Sequence, residues 1–197
     1  MGRTIAFDRD VVVRAARDVF WSRGYAEAGI AQLEEATGLS RSSLYHAFGS
    51  KKGLFEEVVA GYLDDVVRTR IGPLRRPDAG PAALAGYVRE MRDAISSGSS
   101  RARSGCLLLN AACAPVVDDE PDVRDLVTAY TDELRAALAD GVAAARPDLA
   151  GDARRALSEV CAALVISALA VARVDRDAAA RSLDSVLTVV AAWGTAP

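Results

Sequence analysis

The groups of this sequence most able to bind a charged partner lie close together in the stretch TGLSRSSLYHAFGSKKGLF, residues 37–55. The stretch holds the only histidine, His46, and the only two lysines, Lys51 and Lys52, of a chain of 197 residues. Serines and Tyr45 lie between these basic side chains. Cations, hydroxyls and backbone amides that gather at helix starts bind anions, phosphates above all. The residue types therefore indicate an anion-binding surface, provided that helices place them side by side.

Caps and apolar spacing predict four helices around this stretch. The first covers residues 8–23, the second 29–38, the third 40–48 and the fourth runs from 50 to about 70. Aspartate and serine are common N-caps, and glycine commonly ends a helix. Because a turn of three residues joins the second and third helices, their spacing is that of a helix-turn-helix.

The third helix has an exposed face opposite the apolar Leu44. This face carries Arg41, Ser42, Ser43, Tyr45 and His46. A helix that enters the major groove of DNA puts its first turn against the base edges. Short side chains at 42 and 43 let the backbone approach, and Arg41 reaches a guanine or a phosphate. Tyr45 and His46 are better placed for phosphates.

Lys51 and Lys52 lie in the first turn of the fourth helix, after its predicted cap Ser50. The helix dipole makes a cation unfavourable there by about 0.3 to 1 kcal/mol, and Arg41 has the same disadvantage at the third helix. Local rules that are broken together indicate a functional surface, here a cradle for a phosphate backbone. The alternative is that both lysines extend harmlessly into solvent, where salt screens their charge.

Composition predicts an all-α chain with two parts. Hydrophobic residues make up 51% and aromatic residues only 6%, with alanine, leucine, valine and arginine prominent. The net charge is -3, yet residues 1–55 hold eight Arg or Lys against six Asp or Glu, so the basic surplus is N-terminal. We predict a three-helix DNA-binding domain at 1–50 and a larger helical domain at 51–197. About nine helices are expected, one of them from residue 105 to about 117, with a surface loop at 96–105.

Several classes of protein are excluded by what the sequence lacks. The most apolar stretch, residues 160–172, is shorter than the roughly 20 residues of a membrane span, and no signal core opens the chain, so we expect a cytoplasmic protein without a membrane contact. Three cysteines without paired spacing and one histidine predict free thiols, no metal site and no cofactor. Without a nucleophile elbow or phosphate loop, an enzyme is not expected.

Residues 8–55 resemble the N-terminal domain of TetR-family transcriptional repressors. The match consists of Phe20, Arg-Gly-Tyr at 23–25, Ile-Ala-x-Leu at 30–33, Ala-Thr-Gly-Leu-Ser-Arg at 36–41, Leu-Tyr-His-x-Phe at 44–48 and Ser-Lys-x-x-Leu-Phe at 50–55. Three positions depart from the family pattern: Ala28 and Gly29 replace Thr or Ser, and Glu34 replaces alanine. The missing hydroxyls and the added carboxylate suggest a lower affinity for DNA than is typical of the family.

The resemblance implies an all-helical homodimer that binds double-stranded operator DNA and a small effector molecule. It assigns ligand binding and dimerisation to the larger domain at 51–197. By this resemblance, Arg41, Ser42 and Ser43 contact bases, and Tyr45, His46 and Lys51 contact phosphates. Ligand binding would change the separation of the two recognition helices and release the operator. The alternative is a non-specific or architectural DNA-binding protein without an effector.

The last two predicted helices, at about 148–174 and 177–193, are expected to form the dimer interface. Their apolar stripes comprise Leu157, Val160, Cys161, Leu164, Ala168 and Val171, followed by Leu183, Val186, Leu187, Val190 and Trp193. Two such helices from each subunit would make a four-helix bundle. The alternative is that the stripes pack only inside their own subunit.

The segment RSGCLLLNAACAP, residues 103–115, is the first candidate for the effector pocket. It resembles the Gly-Cys-x-Leu-x-Asn start of the sixth helix in a group of TetR-like repressors, some of which sense electrophiles through a cysteine. Helical spacing puts Cys106, Asn110 and Cys113 on one face, with the two sulfurs too far apart for a disulfide. The full set of candidates is Tyr62, Tyr87, Met91, Cys106, Asn110, Cys113 and Tyr130.

Two readings of Cys106 remain open. Its place near a helix start, after Arg101 and Arg103, favours a reactive thiolate. Unpaired cysteines are also among the most buried residues and commonly only pack. The sequence as a whole predicts a repressor that a largely apolar or electrophilic small molecule releases from a palindromic operator.

Overall fold

The computed structural model describes residues 7–99 and 104–194, and every regular element within these ranges is helical. The α-helices are α1 Arg9–Arg23, α2 Ile30–Thr37, α3 Arg41–Phe48, α4 Lys51–Tyr62, α5 Ala82–Ser96, α6 Leu107–Ala112, α7 Val116–Asp119, α8 Pro121–Ala145, α9 Gly151–Val171 and α10 Arg176–Ala192. The predicted all-α fold is confirmed. Of the loop predicted at 96–105, residues 100–103 lie outside the described ranges.

Local caps set the ends of the first four helices where the sequence predicts them. The Asp8 carboxylate accepts from the amides of Asp10 and Val11 at the start of α1. The Ser40 and Ser50 hydroxyls accept from the third amide of α3 and of α4. Gly38 ends α2 with a φ of 69°, in the left-handed region that favours glycine. These boundaries depend on neighbours in the sequence, which is why they were predictable.

The joint between α3 and α4 is unusually close. The Phe48 carbonyl oxygen accepts from the Ser50 amide at 2.9 Å. A Cβ added at Gly53, in the first turn of α4, would overlap that same carbonyl oxygen. Glycine at 53 is therefore required for the two helices to meet at this distance.

α4 does not stop at Tyr62 but continues in altered form. A π-helical stretch, Leu63–Arg68, is followed by a helical turn, Thr69–Ile71, and by a 3-10 turn, Gly72–Arg75, that contains Pro73. The predicted fourth helix, from 50 to about 70, is thus continuous but not uniformly α-helical. Its altered part faces the middle of the molecule, where Val67 and Ile71 are buried.

One connected apolar core joins the N-terminal helices to the rest of the molecule. Phe55 of α4 packs edge-on against Phe20 of α1 and against Tyr25, with ring centroids 5.1 and 5.0 Å apart. Trp21 packs on Tyr62 at 5.0 Å, also edge-on. α1 and α4 therefore share a core, and α4 connects the first three helices to α5, α8 and α9.

A single helix was predicted from residue 105 to about 117, and this prediction is wrong. The structure has α6, then a break, then the short α7. Pro115 explains the break, because proline has no amide hydrogen to donate and restricts the residue before it. The Ala114 amide instead bonds to the Ala111 carbonyl at 3.0 Å, which tightens the chain into a turn.

α9 and α10 pack against one another along most of their length, and their apolar stripes divide into two groups. Five predicted interface residues are buried inside the subunit itself: Leu157, Cys161, Ala168, Leu183 and Val186. They cannot meet a partner, so the prediction is wrong for them. The remaining six are partly exposed: Val160, Leu164, Val171, Leu187, Val190 and Trp193. We call this second group the α9–α10 stripe.

Within residues 7–99 and 104–194, no helix has both the length and the apolar character needed to cross a bilayer.

Candidate nucleic-acid interface and effector cavity

The exposed face of α3 is arranged as the sequence predicts. Leu44 and Phe48 anchor the helix in the core, while Arg41, Ser42, Tyr45 and His46 are exposed and Ser43 is half-buried. The Arg41 guanidinium carbon lies 5.5 Å from the centre of the Tyr45 ring. An exposed arginine that rests on an aromatic ring keeps its donors free for an acceptor outside the protein. α3 therefore presents hydroxyls and a cation together on one convex face.

The backbone amides at the start of α3 are less free than expected. Glu34 of α2 accepts from the Arg41 amide at 2.6 Å, and the Ser40 hydroxyl accepts from the Ser43 amide at 3.3 Å. The carboxylate, which departs from the family pattern, thus acts as a cap that α2 supplies to α3. It stabilises the turn but places a negative charge beside the basic face.

The start of α2 lacks a side-chain hydroxyl cap, as the sequence suggested. Gly29 is the N-cap, and its own amide donates to the Gln32 side chain at 3.0 Å. Ala28 is fully buried. Neither residue presents a group that would bind a phosphate, so contact at this helix start would depend on the backbone alone.

Lys51 and Lys52 point in different directions. Lys51 donates to the Ala26 carbonyl at 3.2 Å, and its ammonium lies 4.8 Å from the centre of the Tyr25 ring. Its partial burial lowers the pKa of this lysine, because desolvation disfavours the charged form. Lys51 also lies beside Tyr45 of α3, around a small hollow between α2, α3 and α4.

Lys52 does not belong to the predicted phosphate cradle, and that part of the prediction is wrong. Its ammonium forms ion pairs with Asp122, with Glu120 at 3.5 Å and with Glu56 at 3.9 Å. The hydrogen bond to Asp122 is the largest of the effects that raise its pKa. Lys52 therefore links α4 to the start of α8, where acidic side chains satisfy its charge.

A cavity of about 330 Å³ lies between α1, the altered part of α4, α5 and α9. Its walls are Trp21, Tyr62, Asp65, Val66, Thr69, Arg70, Glu90, Met91, Ala94, Ile95, Ser97, Ser99, Gly105, Leu169 and Ala172. We call this the outer cavity. Its volume lies at the lower end of the range for small-molecule sites.

A much smaller inner cavity, of about 20 Å³, lies beneath it. It is lined by Tyr62, Val66, Val67, Arg70, Ile71, Tyr87, Met91, Tyr130, Leu134 and Leu169. Five residues line both spaces, among them Tyr62, Arg70 and Met91. Four of the predicted pocket residues, Tyr62, Tyr87, Met91 and Tyr130, thus border one or both cavities.

Cys106 lies behind this wall in a buried chain of hydrogen bonds. The Tyr62 hydroxyl donates to the Cys106 sulfur at 3.5 Å, and the Cys106 thiol donates to the Tyr130 hydroxyl at 3.3 Å. Burial raises the pKa of both tyrosines well above the usual phenol range, and the nearby thiol raises it further. Cys106 therefore contacts the pocket through two tyrosines.

The prediction that one helix face carries Cys106, Asn110 and Cys113 is wrong. Cys106 is buried just before α6, whereas Cys113 is exposed just after it, outside both cavities. The Asn110 amide donates to the Ser104 carbonyl at 2.7 Å and so holds the chain that leads into α6. α6 is only six residues long, and the chain has left its helical path at Cys113. Arg101 and Arg103, invoked as neighbours of Cys106, lie outside the described residues.

Sequence reasoning missed several residues of the outer cavity, of which Trp21 is the most informative. Its indole nitrogen donates to the Gly105 carbonyl at 2.8 Å, so α1 bonds directly to the residue before Cys106. A buried tryptophan just off the apolar stripe of α1 was the available signal. Arg17, buried on α1, pairs with Asp65 at 2.9 Å on the opposite wall. Arg70 and Glu90 gave no local signal, because the other walls of the cavity are distant from them in sequence.

Comparison with known proteins agrees with this arrangement. The family model described as bacterial regulatory proteins, tetR family, matches residues 12–58. A cysteine mutant of CifR, a TetR family transcriptional regulator solved in complex with 26 bp of double-strand operator DNA, is 36% identical, with a TM-score of 0.75 over 97% of this chain and 100% of that one. SCO4454 from Streptomyces coelicolor, 20% identical, has the same fold, with a TM-score of 0.77 over 94% of this chain and 95% of that one.

Curated relatives are matched over a shorter length. The transcriptional repressor ComR of Escherichia coli is 32% identical over 123 residues, which cover 62% of this chain and 57% of that repressor. The helix-turn-helix and its convex basic face define a DNA-binding transcription regulator. More particularly, the chain belongs to the TetR family, whose members are regulators and not enzymes.

Proposed function

We propose that this regulator is a dimeric repressor that binds a palindromic operator and is released by a small molecule bound in the outer cavity. The observation that carries the proposal is the exposed face of α3, where Arg41 rests on Tyr45 beside two serines. The similarity to CifR, which has been solved with operator DNA, supports it. Since operator DNA lies in the cytoplasm, the proposed repressor is also cytoplasmic.

Each exposed residue has a proposed contact. Arg41, Ser42 and Ser43 occupy the first turn of α3 and would contact base edges in the major groove. Tyr45, His46 and Lys51 would contact phosphates. Lys51 uses one donor on Ala26, so its remaining N–H groups are available to DNA.

Dimerisation is assigned to the α9–α10 stripe, defined above. Val160, Leu164 and Val171 follow one another at i, i+4 and i+11, which puts them on one side of α9. Partly exposed apolar side chains in such a row favour burial against an identical row. Two recognition helices related by a twofold axis would then read half-sites about 34 Å apart.

The division at about residue 50 into a DNA-binding part and an effector part is also proposed. α4 contributes Phe55 to the first and Tyr62 to the second. An effector in the outer cavity would touch Trp21 of α1 and Tyr62 of α4 at once. Cys106 forms hydrogen bonds with Tyr62 and Tyr130. Two roles are proposed for it, a packing residue or a reactive thiol, and a test with electrophiles distinguishes them.

The first test is selection of bound duplexes from a random library by the purified protein. The expected result is one enriched sequence with twofold symmetry and half-sites about one helical turn apart. Binding should retain its preference for that duplex over a scrambled one as salt rises. Equal loss on all sequences would instead identify an architectural DNA-binding protein.

The neighbouring lysines provide a matched pair of variants. Lys51→Ala should weaken binding to the selected duplex several-fold. It should also reduce the slope of log affinity against log salt concentration by about one, as expected for the loss of one phosphate contact. Lys52→Ala removes the same charge. Because Lys52 is already paired with Asp122, this substitution should change the affinity for the duplex much less. Fluorescence anisotropy titrations measure both, and melting curves check that both variants fold. Equal effects of the two substitutions would show that net charge, and not contact, determines binding.

A further inference from the structure

Arg70 is a charged residue at the centre of the effector site that the described structure leaves without an acceptor. It is half-buried and lines both the outer and the inner cavity. Within residues 7–99 and 104–194, no carboxylate lies within ion-pair distance of its guanidinium. Its neighbours Arg68 and Arg75 both pair with Glu133. A half-buried guanidinium with no carboxylate beside it is available to bind an anion.

Tyr87 supplies a second polar group to the same place. It is 5% exposed and lines the inner cavity, and its hydroxyl makes no hydrogen bond to the described residues. Burial raises the pKa of Tyr87, and the positive charge of Arg70 acts in the opposite direction. The phenol therefore stays protonated and is a donor at physiological pH. Arg70 and Tyr87 thus direct two free donors toward one space.

The rest of the outer cavity determines what else the ligand must contain. Its buried walls are mainly apolar and include Trp21, Met91, Ile95 and Leu169. At about 30 Å³ for each non-hydrogen atom, the volume of about 330 Å³ holds on the order of ten atoms. The ligand must therefore be small and mostly apolar.

Two carboxylates also line the outer cavity, and neither prevents anion binding at Arg70. Asp65 is paired with Arg17, so its charge is neutralised. Glu90 is exposed to solvent, where salt and water screen it. The charge of Arg70 has a larger effect on the pKa of Tyr87 than the charge of Glu90 has. The inner end of the site is thus positive and its outer end mildly negative.

We propose that the effector is a small amphipathic acid whose carboxylate accepts from Arg70 and Tyr87 and whose apolar body lies against Trp21 and Met91. This inference rests on the proposed function, because it names the chemical class of the molecule that the repressor senses. Arg70 is the residue that determines specificity for the acidic group, through paired N–H donors that match a carboxylate.

The test uses three probes of equal chain length: octanoate, octan-1-ol and octylamine. Isothermal titration calorimetry at pH 7.5 should show octanoate binding at least about tenfold more tightly than the alcohol and the amine. Equal binding of the alcohol, tighter binding of the amine, or no binding of any probe would overturn the proposal. The amine result would identify Glu90 and the aromatic rings as a cation site instead.

Variants assign the effect to the side chains. Arg70→Gln should reduce the preference for octanoate over octan-1-ol to about one, while Arg70→Lys should keep part of it. Tyr87→Phe should cause a smaller loss, of a few-fold. Arg89→Gln is the matched control, because Arg89 is exposed on the same helix as Glu90 and lines neither cavity. Retention of the full preference by Arg70→Gln, with its fold confirmed by circular dichroism, would contradict the assignment.

Duplex binding is measured on the same samples by anisotropy. If no duplex is preferred but octanoate is, the proposed repressor function fails and the acid site stands. If a duplex is preferred and octanoate is not, the reverse holds. Both proposals are supported when octanoate weakens duplex binding by the wild type and not by Arg70→Gln.

Discussion

At the scale of single residues, Lys51 and Lys52 show how neighbours in sequence acquire different roles. Burial against Tyr25 lowers the pKa of Lys51. Lys52 is surrounded by carboxylates that raise its pKa. A cation is unfavourable at a helix start, and different neighbours offset this cost for the two lysines: Tyr25 for Lys51 and carboxylates for Lys52. The helix-dipole argument identified both lysines as unusually placed, but it could not predict which of them pairs with carboxylates.

Glu34 gives a prediction at the same scale. Glu34→Gln keeps an oxygen that can accept from the Arg41 amide and removes a charge beside the basic face. Affinity for the selected duplex should rise about threefold to tenfold, since phosphates are no longer repelled. Stability should fall by about 0.5 to 1 kcal/mol, because the cap loses its charge at the helix start.

Anisotropy titrations measure that affinity, and urea unfolding measures the stability. The exposed neighbour Glu35, changed to Gln, is the control for net charge. If both substitutions raise affinity equally, Glu34 acts through the total charge and not through its position at α3.

Residue-level prediction from sequence was successful where the environment is local. The exposed face of α3 follows from helical geometry once Leu44 points inward, and the structure agrees. The partner of Lys52 could not be found this way, because Asp122 is 70 positions away. Long-range pairs depend on packing that no local pattern encodes.

At the scale of elements, α1 is the helix that touches both the DNA-binding and the effector parts. Phe20 on α1 packs in the aromatic cluster with Tyr25 and Phe55, while Trp21 bonds to Gly105 and lines the outer cavity. Adjacent residues of one helix therefore face two different parts of the molecule. This arrangement would give the proposed effector a direct route to the helix-turn-helix.

Trp21→Phe tests that route. The substitution keeps an aromatic ring but removes the hydrogen bond to Gly105, so stability should fall by about 0.5–1.5 kcal/mol, or about 2–4 °C per kcal/mol in melting temperature. The ability of a bound effector to weaken duplex binding should fall more than effector affinity itself. Melting curves and paired titrations measure these quantities.

The proposed route is contradicted if Trp21→Phe lowers effector affinity and leaves the coupling to DNA unchanged.

Element boundaries were predictable to different degrees for physical reasons. Ser40 and Ser50 act on amides three residues away, so the starts of α3 and α4 could be identified. Pro115 carried a clear signal for the break after α6 that the prediction overlooked. The π-helical stretch Leu63–Arg68 contains no glycine or proline, so no local sequence signal predicts it.

At the scale of the whole molecule, the α9–α10 stripe is the surface on which the proposed reading of a palindrome depends. Leu164→Glu places a charge at the middle of that stripe and should weaken dimerisation at least about tenfold. Sedimentation at micromolar concentration should then report a species near 20.7 kDa, the mass of one chain. Duplex affinity should fall with it, because two half-sites no longer bind together.

Val11→Glu is the control, because Val11 of α1 is 53% exposed and lies outside the α9–α10 stripe. A Leu164→Glu protein that keeps twice the monomer mass would place the interface elsewhere.

The cavity is the part of the molecule that the sequence predicted least completely. Its walls come from α1, the altered part of α4, α5, the Gly105 segment and α9, which meet only in the folded chain. Tyrosines and Met91 could be proposed because their chemistry suits a pocket, whereas Arg70 resembled any surface arginine. Its significance appears only when no carboxylate of residues 7–99 and 104–194 is found within ion-pair distance of it.

Under the proposed function, the close approach of Gly53 to the Phe48 carbonyl sets how motion would pass to DNA. Because no side chain separates the end of α3 from the first turn of α4, these two segments pack directly against each other. A rotation of α4 about its own axis would therefore carry the proposed recognition helix with it. A larger residue at 53 would loosen this joint, and part of the rotation would be lost before it reached the base edges.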